Sequence, residues 1–395
     1  MLKQKIWFYI ATASHLVVDM CCACLIAAIL SASHSFASVE NQPAYLLHSA
    51  FYLLLYNFCA FALQMPIGYL ADLFCQKKQK KNTCTLHSDF DTAETEGIAA
   101  FGCLLVALPF FFLQRSTATA SCYYLSNSVS VTLTVISAGI GNALFHIGAG
   151  REVLKHADGK MKYAGIFVSS GALGLYLGGK VLLSQKLPIR SFCVVLLILA
   201  AIALCSRHLL LCLPRKAPLT ACCKARPPLP HTSCFLHWCY PVIFVLFITV
   251  VLRSLMGMIL SFSWTASVPG IISCLLLVFG KALGGILADH FGIARTMTVT
   301  LGLSAIFFLL SQQMIFGMLA ILLFQTTMPI TLWLLYEQMP KYPGFAFGIL
   351  TFGLFIGYLP YWFGIHTILQ SPVIYALIAL LSLGLLLCAL RHRTK

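Results

Sequence analysis

The sequence predicts an all-α membrane protein whose twelve transmembrane helices form two pseudo-symmetric six-helix bundles. Three observations carry this. Hydrophobic residues make up 60% of the chain and charged residues 9%, with a mean hydropathy of +0.90; a soluble globule carries about a quarter charged residues. Apolar stretches of membrane length recur from end to end, and about 20 apolar residues in a helix cover the ~30 Å hydrocarbon core. One loop motif occurs twice, at matching places in the two halves. A β-barrel is excluded, because its strands alternate in polarity and run only about 10 residues.

The spans run near 6–30, 45–71, 97–113, 123–148, 163–183, 191–213, 238–262, 265–288, 296–312, 314–336, 344–366 and 371–390. Lys3 and Lys5 before the first run mimic a signal peptide. The run is too long for a typical h-region and contains Asp19, so it reads as an uncleaved span. Segment 214–237 carries Pro214, Pro218, Pro227, Pro228 and Pro230 and is too polar to span. It divides the chain into an N-terminal bundle (1–213), a cytoplasmic linker and a C-terminal bundle (238–395).

The basic residues set the orientation. One side receives Lys3, Lys5, Lys77, Lys78, Lys80, Lys81, Arg151, Lys155, Lys160, Lys162, the basic residues of 207–226, Arg295, Lys341, Arg391, Arg393 and Lys395. The other receives only Arg115, Lys186 and Arg190. Positive residues stay inside, so both termini are expected in the cytoplasm of a multi-pass protein of the bacterial plasma membrane. The net charge of +15 thereby finds its use in orientation and contact with anionic lipid, and no nucleic-acid partner is expected. Cys21, Cys22, Cys24, Cys59, Cys103 and Cys274 lie inside spans as small apolar fillers. The cluster Cys222, Cys223, His231, Cys234, His237 and Cys239 lacks a paired CxxC spacing, so no metal site is assigned. No cofactor is expected, because no GxxxxGK[ST], HExxH or GxSxG is present. The same absence argues against an enzyme and leaves gradients as the energy source.

The repeated motif is Gly68-Tyr-Leu-Ala-Asp72 after span 2 and Gly285-Ile-Leu-Ala-Asp289 after span 8. Each copy puts a carboxylate at a helix end, one turn after a glycine that permits close helix approach. With Arg295 and Arg151 nearby, these residues form the expected cytoplasmic gate motif. On them the chain resembles the major facilitator superfamily over essentially its full length. That family's loop pattern is G-x-x-x-D-R/K-x-G-R-R/K; Leu73, Cys75 and His290 depart from it, while Lys77, Lys78, Gly292 and Arg295 keep to it.

A closer resemblance lies in span 4, Gly141-Asn142-Ala-Leu-Phe145-His146 through Arg151, which is similar to the G-x-x-x-F-H-P-E-x-S-R stretch of the fosmidomycin-resistance branch. That branch's H-x-x-N-D element is matched by His15 and Asp19, with Val18 at the Asn position. Ile147 and Gly148 stand for the Pro-Glu, and Gly150 for the Ser. In span 5, Gly165, Gly174 and Gly178 match the family's antiporter glycine pattern, with Gly179 where proline is expected. The resemblance implies alternating access between two bundles and favours export.

Asp19 is the one acidic residue near the centre of a predicted span. A carboxylate there costs at least ~2.5–3.5 kcal/mol on insertion scales and marks a transport path or a partner. His15 lies one helical turn away, so the pair reads as a proton-coupling site. Glu152 and Glu337 lie near cytoplasmic helix ends, within reach of water. Arg253 in span 7 stands at a depth like that of Asp19, and spans 1 and 7 are symmetry partners when two such halves are superposed. It either pairs with Asp19 across the cavity or meets an anionic substrate. Asn142 and His146 share a helix face; with Lys281, Gln64 and Gln325 they complete the candidate substrate cavity. Lys180 and Asn57 are further polar wall candidates. Pro329 reads as a bending site, and Gly348, Gly353 and Gly357 as close-packing sites. The expected activity is proton-coupled secondary transport of a small organic solute by a monomer, with efflux as the first reading. Uptake of an anionic metabolite with protons is the alternative. A transporter-shaped sensor or membrane enzyme is the third reading, with neither an output domain nor a nucleophile motif to support it.

Overall fold

The computed structural model describes residues 2–36, 42–81, 88–115, 128–184, 189–212 and 232–393. Among them the chain is all helical, with no strand. The first half contains α1 (Leu2–Phe36), α2 (Gln42–Asn57), α3 (Gln64–Lys81), α4 (Ser88–Arg115), α5 (Ser128–Lys155), α6 (Met161–Ser184) and α7 (Ile189–Cys212). The second contains α8 (Thr232–Ile259), α9 (Gly270–Phe291), α10 (Ile293–Leu309), α11 (Met314–Gln325), α12 (Thr327–Gln338), α13 (Pro343–Trp362) and α14 (Pro372–Arg393). A π-helical turn, Phe58–Ala62, joins α2 to α3, and α11 meets α12 at Thr326. Each of these pairs forms one rod, which makes twelve rods.

The rods repeat one packing pattern. In the first half α1 packs on α6, and α4 on both α5 and α7. In the second, α8 packs on α13, and α10 on both α11 and α14. The halves meet where α3 lies on α13 and α9 on α6. These are the contacts a two-fold relation between six-rod halves requires.

Small residues set the closest approaches. A Cβ on Gly68 would strike the carbonyl of Gly344, and one on Gly285 the carbonyl of Met161, at 2.5 Å in the latter case. Gly174 and Gly178 seat α6 against the α1 carbonyls of Leu16 and Met20, while Gly165 seats it against Lys281 of α9. Gly353 and Gly357 seat α13 on Val250 and Val251 of α8, and Gly348 seats it on Gln64 of α3. Pro329 lies just inside α12, beyond the break at Thr326, as a residue without an N–H should.

One sequence expectation changes, at the end of the fourth span. Helix α5 runs past the expected span end at 148 to Lys155 and carries Arg151 and Glu152 within its last turns, both buried. Glu152 therefore does not reach water, because α3 and α13 pack over that end of α5. The expected span 163–183 is carried by α6, which lies between α1 and α9. The linker expected over 214–237 lies outside the described residues up to 231, as do Cys222, Cys223 and His231, and α8 already begins at Thr232.

Candidate functional site

Four polar residues read as two separate pairs in the sequence converge at the middle of the first half. α1 supplies His15 and Asp19, and α5 supplies Asn142 and His146; all are buried. The Asn142 amide donates to Asp19 Oδ1 at 3.0 Å. His15 Nε2 lies 3.3 Å from Asp19 Oδ2, and His146 Nε2 lies 3.6 Å from Asp19 Oδ1. The two Nε2 atoms are 2.8 Å apart.

The other ring nitrogens decide the protonation pattern. His15 Nδ1 donates to the Phe167 carbonyl at 2.7 Å, and His146 Nδ1 to its own helix at the Asn142 carbonyl, at 2.8 Å. A main-chain carbonyl can only accept, so both Nδ1 atoms carry hydrogen. Two neutral imidazoles would then turn lone pairs toward each other across 2.8 Å. The contact becomes a hydrogen bond when one further proton is shared between the Nε2 atoms, with the Asp19 carboxylate balancing its charge.

α6 supplies the wall that makes room for this. Gly171 lies directly against the site: a Cβ there would collide with Asp19 Oδ2 and His15 Nε2. The Ser170 hydroxyl donates to the same Phe167 carbonyl at 2.8 Å, steadying it. The Phe167 ring stacks on His15 with centroids 4.4 Å apart. Sequence reasoning did not find Phe167, Ser170 or Gly171. The Ser169-Ser170-Gly171 run in an otherwise apolar helix was the signal available.

His15, Asp19 and His146 open onto a cavity of about 460 Å³ between the halves. Across it stand Arg253 of α8 and Lys281 of α9, with Gln325, Asn57 and Tyr358 also in the wall. Arg253 is buried, and among the described residues neither its side chain nor that of Lys281 makes a hydrogen bond or ion pair. The ion pair between Arg253 and Asp19 offered by the sequence is not formed; Asp19 is occupied by the histidines and Asn142. Two further candidates move out of the cavity. Asn142 sits behind Asp19, and Gln64 is buried in α3 with its amide donating to the Ala60 carbonyl. Lys180 is exposed, 5.9 Å from the Tyr176 ring centroid, and does not line the cavity.

The cavity runs from the buried histidines to Trp264 and Thr265, in the connection between α8 and α9. The opposite end of the bundle is latched. Asp72 Oδ2 accepts from the Phe345 N–H at the start of α13, at 2.8 Å, and its Oδ1 accepts from Arg151 Nε, at 2.8 Å. Asp289 accepts from the Met161 and Lys162 N–H groups at the start of α6, at 2.7 and 2.9 Å. Each motif aspartate therefore caps a helix of the other half, where the helix dipole favours a negative charge. Arg151 also pairs with Glu152 at 2.8 Å, and His156 Nδ1 lies 3.3 Å from Glu152. Arg295, expected in this motif, is exposed and has no ion pair among the described residues. Gln76 adds a contact across the same seam, donating to the Lys341 carbonyl at 2.8 Å. Phe347, buried between His146 and Phe167, floors the cavity above the latch.

No protein-family model and no curated protein sequence matches the chain. Its fold is shared with solved structures. A double-tryptophan variant of XylE superposes with a TM-score of 0.63 at 15% identity, covering 95% of this chain and 94% of that one. XylE is a proton:xylose symporter of the major facilitator superfamily. The E. coli fucose:proton symporter FucP gives 0.52 at 16% identity, covering 98% and 99%. The human organic anion transporter MFSD10 gives 0.53 at 13% identity, covering 97% and 99%. The chain has the major facilitator fold. The finer likeness, to the fosmidomycin-resistance branch, stands on the motifs of α1 and α5 alone.

Proposed function

We propose that the protein is a secondary transporter that moves a small organic anion together with protons by alternating access. The observation that carries this is the charge arrangement of the cavity: Arg253 and Lys281 face it without a bonded counter-charge, opposite the His15–Asp19–His146 cluster. An unpaired buried cation is costly, so such a pair is matched by the anion it receives. Loading a proton on the histidine pair cancels the Asp19 charge, which otherwise repels an entering anion. Proton and anion thus favour each other's binding, the linkage of a symporter. This arrangement supports uptake over export, the direction favoured by the span-4 resemblance.

In the orientation given by the basic connections, the latched end faces the cytoplasm and the cavity opens outward. Labelling of a cysteine at position 79, and of Cys222, from the cytoplasmic side only tests that orientation. For the function, a thermal-shift screen of small carboxylates, phosphates and phosphonates selects the substrate. Proteoliposomes with acid outside should then accumulate it, and an imposed gradient of the substrate should carry protons inward. Accumulation driven by alkaline exterior pH would reverse the coupling and restore the export reading.

A further inference from the structure

The geometry points to a divalent transition-metal site made of His15 Nε2, His146 Nε2 and an Asp19 carboxylate oxygen. These three ligand atoms lie within 4.8 Å of one another. Bonds of about 2.0–2.2 Å from nitrogen and oxygen to zinc place neighbouring ligand atoms roughly 3.3 Å apart in a tetrahedron. Here the two Nε2 atoms are 2.8 Å apart, His15 Nε2 lies 3.3 Å from Asp19 Oδ2 and His146 Nε2 lies 3.6 Å from Asp19 Oδ1, so the carboxylate turns one oxygen toward each histidine.

The surroundings are those of a prepared ligand set. Both histidines donate Nδ1–H to carbonyls, which fixes the tautomer that leaves Nε2 free for a metal. The Asn142 amide orients the carboxylate. The bare Cα of Gly171 leaves the space beside Asp19 Oδ2 and His15 Nε2 that a methyl would fill. All three ligands line the cavity, so the remaining coordination positions are open to water from that side. Two imidazoles and one carboxylate suit zinc, cobalt or nickel, whereas calcium and magnesium take oxygen ligands. The other titratable groups around the cluster are Cys22 and Tyr56 behind Asn142, and Lys281 and Arg253 toward the cavity.

The inference concerns the cation side of the cavity and is tested by binding, so it stands or falls apart from the identity of any transported anion. The full-length protein, stripped with chelator and held in nanodiscs of neutral lipid, is titrated with Co²⁺ and followed by visible absorption. The wild type should bind one equivalent more than His15→Gln, His146→Gln and Gly171→Ala. That equivalent should show nitrogen–oxygen ligand-field bands and resist Mg²⁺. Equal stoichiometry and spectra in wild type and a Gly171→Ala protein of unchanged thermal stability would overturn the site. So would near-ultraviolet thiolate bands on the wild type's first equivalent, which would assign the metal to cysteines. Should either histidine variant fail to fold, those two readouts still decide.

Discussion

His15 and His146 meet through their Nε2 atoms at 2.8 Å, and each ring has already committed its Nδ1 hydrogen to a main-chain carbonyl. The two Nε2 atoms that face each other belong to residues on different helices, so a single hydrogen between them would join α1 to α5.

The two histidines should consequently behave alike. His15→Gln and His146→Gln are expected to lower pH-driven accumulation to a similar extent, each removing one of the nitrogens that share the proton. Read from the sequence alone, His15 belongs to the proton-coupling pair with Asp19, and His146 to the substrate cavity. Asp19→Asn should abolish pH-driven accumulation while leaving substrate binding measurable. Initial rates in proteoliposomes check this, and normal pH-driven uptake by His146→Gln would remove it from the proton site.

Arg253 should matter through affinity. A charged hydrogen bond to a bound anion contributes ~1.5–3 kcal/mol, so Arg253→Gln should weaken substrate binding by about 10- to 100-fold. Arg253→Lys should raise the KM with near-normal protein levels, since it keeps the charge and loses the planar fork. Because Asp19 is already partnered, removing both charges should not restore transport. Full affinity in a stably folded Arg253→Gln protein would refute anion recognition.

The latch predicts a stability effect. Arg151→Ala leaves Asp72 and Glu152 buried without their guanidinium, a loss of about 3–5 kcal/mol for a buried pair broken on one side. Thermal unfolding in detergent should move clearly downward. The double variant Arg151→Gln with Asp72→Asn should recover part of the difference, and an unchanged midpoint in Arg151→Ala would show that the ion pairs do not hold this end.

Gly68→Val should disfavour the conformation seen here without touching the cavity, because its side chain would occupy the place of the Gly344 carbonyl. Spin labels at positions 76 and 341 flank the seam bridged by Gln76 and Lys341. Their distance distribution should lengthen in Gly68→Val, and a distribution identical to wild type would argue against close packing as the seal.

The fold was legible because bilayer length, basic connections and the repeated Gly-x-x-x-Asp motif are local properties of the chain. Helix faces were legible too: His15 with Asp19, and Asn142 with His146, follow from helical spacing. Which faces meet was not, since 131 residues separate His15 from His146. The sequence also placed Arg151 and Glu152 outside a span, because charge near a helix end reads as solvent contact; packing by α3 and α13 buries them instead. Gln64 failed as a wall residue for the opposite reason. Its amide nitrogen donates to the Ala60 carbonyl one turn back, which holds the side chain inside the rod and away from the cavity.

The ownership of the cavity charges has a mechanical consequence. His15, Asp19 and His146 all belong to the first half, whereas Arg253 and Lys281 belong to the second. Under the proposed function, an anion held between them would be a bridge under tension, drawn to both walls at once when a proton is in place. Without the proton, the Asp19 charge would push the anion away from one wall. The two halves would then feel their load as a force across the seam, pulling the mouth shut with both passengers aboard and slackening when either is missing.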